Sequence, residues 1–255
     1  MTKAQEKPTT EWENTTKRFV CFLDILGFKD MVMRKSHSEI YEMLSRFSKA
    51  KNKLQNLTKS NLQVYYDTDN YIVTFSDSIV IFSKSDRFED LEYLLFSTSW
   101  LFNQALKNNI QLKGGLAHGE VSLNKDDQIY FGQAIIDAYN IEEDVNYLGV
   151  VAHNSIDEYL SNQNLIDSDL FQAYLFESKT PLKSGHITHH NLNWFLDFSS
   201  ISNKNPQDEK IKEIDAMLMG FKKQSSGTTR RYSENTLDFF HNNLVNKKII
   251  IEAPI

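Results

Sequence analysis

Two aspartates interrupt apolar runs. Asp24 lies within Phe19-Val20-Cys21-Phe22-Leu23-Asp24-Ile25-Leu26-Gly27-Phe28, and Asp77 lies 53 positions later within Tyr71-Ile72-Val73-Thr74-Phe75-Ser76-Asp77-Ser78-Ile79-Val80-Ile81-Phe82. Both runs are rich in aromatic and β-branched residues and read as buried strands. An ionised carboxylate in such a setting is costly unless it is paired or binds metal. Two of them at the ends of core strands point to a shared cation, and oxygen ligands suit Mg²⁺ or Mn²⁺. A carboxylate pair of this kind fits two-metal displacement at a phosphate ester. The turn after Asp24, Ile25-Leu26-Gly27-Phe28, has one glycine, and its backbone amides can cradle phosphate oxygens. The plainer alternatives are a strand-end cap for Asp24 and a hairpin-turn residue for Asp77.

Residues 1–17 are polar and read as a loose arm without the apolar stretch of a signal peptide. Arg18–Leu23 is then the first strand. Ser38–Leu57 reads as a helix, with Ile40, Met43, Leu44 and Phe47 at helical spacing. Leu62–Phe75 and Ser78–Ser83 read as a hairpin with Asp77 at its tip. Asp90–Lys107 is a second helix. Gln111–Ala117 is a strand ending at His118-Gly119, followed by short strands at Glu120–Leu123 and Gln128–Phe131. Gly132 opens a helix to about Asn146, and Gly149–Ala152 is a further strand. The order β-α-β-β-α-β-(β)-α-β predicts an α+β, palm-like (ferredoxin-like) domain over residues 18–153, with a mixed or largely antiparallel sheet.

Residues 154–255 read as an α-rich C-terminal extension packing on the domain or on a dimer partner. Leu170–Phe176 and Ser184–Phe198 hold strands and a loop, and Ser202–Asp208 is a linker. Lys210–Lys223 and Ser233–Asn246 are helices, and Ile249-Ile250-Ile251 is a last strand or a dimer contact.

Composition narrows the function classes. The 255 residues are 40% hydrophobic and 24% charged, an ordinary globular balance for one large domain with an appendage. A net charge of -6 argues against nucleic acid as a partner. The single cysteine, Cys21, excludes an internal disulfide and fits a reducing, cytoplasmic compartment. No apolar run reaches membrane-spanning length. His118, His189 and His190 lack the spacing of a zinc site. Lys222-Lys223 and Arg230-Arg231, flanking Ser225-Ser226-Gly227, read as a solvated loop.

Four segments together resemble a family. Phe22-Leu23-Asp24-Ile25-Leu26-Gly27-Phe28 resembles the first-metal motif of class III nucleotidyl cyclases, F-x-D-I-x-G-F. Phe75-Ser76-Asp77-Ser78-Ile79-Val80 resembles their second-metal hairpin, with Ser76 in place of glycine. Lys113-Gly114-Gly115-Leu116-Ala117-His118-Gly119 is similar to their R-x-G-I-x-x-G strand. Gly132 to Glu142 occupies the slot of their dimer-interface helix. Four motifs in order are more specific than any one alone.

The resemblance implies a homodimer with the active site between subunits. It implies two Mn²⁺ or Mg²⁺ ions held by Asp24, Asp77 and the carbonyl of Ile25, and a nucleoside triphosphate with its phosphates over Ile25, Leu26, Gly27 and Phe28. The family's helix asparagine and arginine fall on Ile136 and Asn140, and its strand arginine on Lys113. Lys113 and Asn140 are therefore the expected catalytic replacements, although lysine lacks the bidentate fork of arginine. The Gly132–Glu142 pattern is closer to the pyrimidine cyclases of bacterial Pycsar anti-phage systems, whose product, cyclic UMP or cyclic CMP, activates an effector protein. Phe75, Val73 and Tyr71 alternate onto the face of Asp77. Tyr71 is the expected base contact, with Tyr65 and Tyr66 as competitors. Adenylate or guanylate cyclisation, a non-catalytic cyclase-like dimer and another palm-type phosphotransfer enzyme remain alternatives.

Overall fold

The computed structural model describes residues 11–60, 68–165, 173–196 and 206–246. Eight strands form one sheet in the order β2-β3-β1-β4-β6-β8-β7, with β5 on the far half of β4. These are β1 (Thr15–Ile25), β2 (Asn70–Phe75), β3 (Ser78–Ser83), β4 (Leu112–Asn124), β5 (Ile129–Phe131), β6 (Val150–Ala152), β7 (Leu175–Leu182) and β8 (Gly185–Leu192). All pairings are antiparallel except β4 with β6. The described helices are α1 (Phe28–Arg34), α2 (His37–Ser60), α3 (Phe88–Lys107), α4 (Gln133–Asp144), α5 (Asn154–Gln163), α6 (Pro206–Gln224) and α7 (Gly227–Val245). The fold is α+β with a mainly antiparallel sheet.

Strand alternation divides the interior in two. Phe19, Cys21, Leu23 and Ile25 of β1 enter the larger core with residues of α2, α3, α5, α6 and α7. Val20 enters a smaller cluster on the other face with Phe82, Ala117, Val121 and, from α4, Ala134 and Ala138. Asp24 continues that second face at the end of β1.

Three elements differ from the sequence expectations. The arm does not run loose to Lys17. β1 begins at Thr15, and the Trp12 ring packs beneath the guanidinium of fully buried Arg18, 5.0 Å away. Arg18 is affordable inside because it donates to the carbonyls of Ser83, Lys84 and Glu13. The strand expected over Gln111–Ala117 and the short one over Glu120–Leu123 are one continuous β4, because the longer β1 pairs with it from Thr15↔Ser122 to Ile25↔Leu112. After residue 153 the expected strands have other bounds, Leu175–Leu182 and Gly185–Leu192, and they form a hairpin that joins the main sheet rather than a separate extension. Trp194 and Phe195 from beyond β8, and Phe240 of α7, lie in the same large core as β1. The proposed Ile249–Ile251 strand and most of the Ser202–Asp208 linker lie outside the described residues, as do Tyr65 and Tyr66.

Candidate active site

The second face of the sheet carries a row of cross-strand neighbours at one end. Phe75 pairs with Ser78, Ser78 with Asp24, and Asp24 with Lys113. Asp77 sits beside this row in the two-residue turn between β2 and β3. Ser76 takes a left-handed conformation there (φ 57), which serine adopts at a steric cost. The turn is tied to β1 by its backbone, since Ile25 N–H donates to the Asp77 carbonyl at 3.0 Å. The two intrusive aspartates are thereby brought together, both half-buried.

Their charges interact. Burial, with added repulsion from Glu142 and Asp77, raises Asp24 to about 7 despite the opposing pull of Lys113. A carboxyl whose charge is disfavoured first by burial and then by nearby carboxylates is a place where a cation is favoured. Among the described residues, no cluster of three or more histidine, cysteine or acidic side chains has metal-binding geometry. Any divalent ion at Asp24 and Asp77 would need backbone, substrate or water oxygens to complete its shell, as hard ions accept.

Lys113 is buried, and its ammonium lies 2.5 Å from the Glu142 carboxylate and donates to the Glu142 carbonyl at 2.8 Å. The expected substrate contact is thus occupied inside the protein. Gly115 makes this clamp possible. A Cβ there would stand 2.1 Å from the Ala138 carbonyl oxygen, so only glycine lets α4 lie directly on β4. Glu142 then projects over Lys113, one helical turn beyond Ala138.

The turn after Asp24 divides. The Ile25 amide is spent on Asp77, and the Leu26 amide on the Gln111 carbonyl at 2.9 Å. Those two amides are therefore withdrawn from the expected phosphate cradle. Gly27 adopts φ 73 and caps α1, while Phe28 turns its ring into the large core. The unspent amides of this segment begin at Gly27.

Tyr71 stands in the row of Phe82 and Val20, four residues along the sheet from Asp24, or about 13 Å at strand spacing. Its hydroxyl lies 2.9 Å from that of Tyr130. The aromatic residue in the row of Asp24 is Phe75, which is 81% exposed. Asn140 is exposed on the outer face of α4 and does not meet the aspartates within this chain. Ile136 and Tyr139 of α4 and Phe131 of β5 are exposed as well, and Tyr139 packs edge-on against Phe22.

Two residues of this corner were missed by sequence reasoning. Glu142 carried a legible signal, an acid on the stripe Ala134, Ala138, Glu142 that α4 buries. Tyr232 of α7 carried none. It is buried close enough to Glu142, Glu143 and Asp24 for their charges to add to the upward push of burial on its hydroxyl.

No protein-family model matches the sequence, and no curated protein matches it. Solved structures do resemble the chain. The guanylyl cyclase Cya2 is 12% identical, with 72% of this chain and 94% of that one covered at a TM-score of 0.49. The guanylyl cyclase domain of the RhoGC fusion protein from the aquatic fungus Blastocladiella emersonii is 12% identical, covering 71% and 97% at 0.49. A bacterial light-regulated adenylyl cyclase is 9% identical, covering 80% and 57% at 0.46.

Proposed function

We propose that the chain is a metal-dependent nucleotidyl cyclase that converts a pyrimidine nucleoside triphosphate, UTP ahead of CTP, to its 3′,5′-cyclic monophosphate and pyrophosphate. The observation that carries this reading is the pairing of Asp24 and Asp77 through the Ile25–Asp77 backbone bond at one corner of the sheet. Asp24, Asp77 and the Ile25 carbonyl are the groups to hold two Mn²⁺ or Mg²⁺ ions. Such ions lower the pKa of a ribose 3′-hydroxyl and offset charge on departing pyrophosphate. The chain's own residues orient the substrate so that this oxygen attacks the α-phosphorus in line. The amides from Gly27 onward face the phosphates, and exposed Phe75 offers a flat apolar surface beside the aspartates.

Lys113 serves as a positioning residue in this scheme. Its charge is committed to Glu142, so it holds α4 over the aspartates rather than touching substrate. Asn140 reaches a site only across a subunit boundary. The exposed apolar side chains of α4 and β5, with Ile136 53% and Phe131 62% exposed, support a homodimer built through these two elements. The pyrimidine preference and an antiviral role, with the cyclic product activating a separate effector, rest on the likeness of the Gly132–Glu142 segment to the Pycsar cyclases. No described helix is long and apolar enough to cross a membrane.

The test is incubation of purified protein with Mn²⁺ and each of UTP, CTP, ATP and GTP, with products identified by mass spectrometry. Cyclic UMP or cyclic CMP is expected. A purine cyclic product would correct the substrate, and no cyclic product from any nucleotide would overturn the reading. The Lys113–Glu142 clamp favours one second reading, a cyclase-like dimer that binds nucleotide without turnover. Binding without product in the same samples would select it.

A further inference from the structure

A cleft of about 310 Å³ lies between the β7–β8 hairpin and α7. β7 is four strands from β1 in the sheet, about 19 Å at normal strand spacing, so the cleft is separate from Asp24 and Asp77. Its helical wall is one stripe of α7 and its C-terminal cap: Asn235, Phe239, Asn242 and the cap Asn246, at spacings of four, three and four residues. Its floor is set in advance. Ser178 and Asn243 are both more than nine-tenths buried, and the Ser178 hydroxyl donates to the Asn243 amide oxygen at 2.6 Å. The Asn243 amide nitrogen donates to the Phe239 carbonyl at 2.7 Å. This leaves Asn243 one further N–H and one further lone pair. Asn235 is held likewise by its bond to the Asn146 carbonyl, 2.6 Å long.

The rest of the lining has its polar capacity unspent. Lys179, His186, Asp238, Asn242 and Asn246 all border the cleft, and among the described residues none has a side-chain hydrogen bond or ion pair. The chemistry is graded. Cationic or protonatable groups come from the hairpin, and amides with one carboxylate come from the helix. A matching ligand is anionic at one end and presents mixed donors and acceptors at the other. Asparagine amides pair with nucleobase edges, a carboxylate accepts from ribose hydroxyls, and a lysine ammonium holds phosphate as a point charge. The volume lies at the lower end of the range for small-molecule sites, which suits one nucleotide.

We propose that this cleft binds a nucleoside monophosphate, with the phosphate on the hairpin side and the base against the asparagines of α7. Titration calorimetry on the full chain, with the 5′- and 3′,5′-cyclic monophosphates of uridine, cytidine, adenosine and guanosine, tests the site. Ribose 5-phosphate and inorganic phosphate are the controls. At least one nucleotide is expected to bind, weakened tenfold or more by Asn242→Leu and by Lys179→Glu, both exposed positions. Asp77→Ala should leave that affinity within twofold, which separates this site from the proposed active site whatever its activity. Melting curves confirm that each variant is folded. Failure of every nucleotide to bind at millimolar concentration overturns the proposal. Equal binding of ribose 5-phosphate or phosphate, or affinity that follows Asp77 rather than Asn242, overturns it as well.

Discussion

Lys113 and Glu142 form a buried ion pair 2.5 Å long that joins β4 to α4, directly across the sheet from Asp24. Removing one partner leaves an uncompensated charge in the interior, at a cost of about 3–5 kcal/mol. Lys113→Met should therefore lower the melting temperature sharply, whereas Lys113→Met combined with Glu142→Leu should regain most of the loss. Calorimetric melting of the single and double variants checks this. A single variant as stable as the parent would show that the pair contributes nothing to the fold.

Asp24 gives the protein a pH signature. Its folded-state value of about 7 lies above the ordinary carboxylate value of 3.8. The folded state therefore holds the proton more tightly than the unfolded chain does. Stability contributed by this group is complete below about pH 4, declines as pH rises toward 7, and is absent above it. The carboxyl is half-buried and partly screened, so about 1–2 kcal/mol is at stake. Asp24→Asn should remove that decline, making the variant more stable than the parent at pH 8 while abolishing cyclisation. Mn²⁺ should stabilise the parent more at pH 8 than at pH 5, and Asp24→Asn should lose most of that gain. Melting temperatures across pH, with and without the ion, report both effects. Equal pH slopes in parent and variant would contradict the assignment.

The same kind of signal made part of this site legible in the sequence and hid the rest. Asp24 and Asp77 stand out because a charge breaks an apolar strand, and Ser78–Ser83 follows from alternation alone. Glu142 breaks the apolar stripe of a helix in the same way, but its partner lies 29 positions earlier on another element. No local pattern connects the two, so Lys113 reads in the sequence as the replacement of a catalytic arginine and not as half of an ion pair. Tyr71 shares a face with Asp24, as its parity indicates, yet parity says nothing of distance along the strand. Helix α5 carries Ile156, Tyr159 and Leu160 at helical spacing, but its ten residues are short and polar. The continuity of β4 through Gly119 depends on how far β1 extends, which is a tertiary fact.

The surface around Asn140 should be needed for assembly. Ile136 is 53% exposed on α4 and contributes nothing to either core. Ile136→Glu should leave the monomer's melting temperature within a few degrees, because exposed substitutions rarely move stability by more than about 0.5 kcal/mol. It should also convert a dimer to monomers in sedimentation velocity and reduce cyclase activity at least tenfold. A variant that sediments as the parent does would remove α4 from the interface.

Gly115 offers the sharpest test of how α4 is held. A Cβ at this position would stand 2.1 Å from the Ala138 carbonyl oxygen and 2.3 Å from the Ile141 side chain, and neither the helix backbone nor the packed isoleucine can yield without moving α4. Overpacking of this kind costs about 1–3 kcal/mol. The displaced helix also lifts Glu142 from Lys113, which adds to the loss. Gly115→Ala should therefore destabilise more than Gly27→Ala, although Gly27 is the residue with the left-handed backbone, because a Cβ at Gly27 meets nothing within 4 Å. Its left-handed strain alone costs about 1–2 kcal/mol. Denaturant melts of the two variants rank them, and the reverse order would mean that α4 is free to shift on β4.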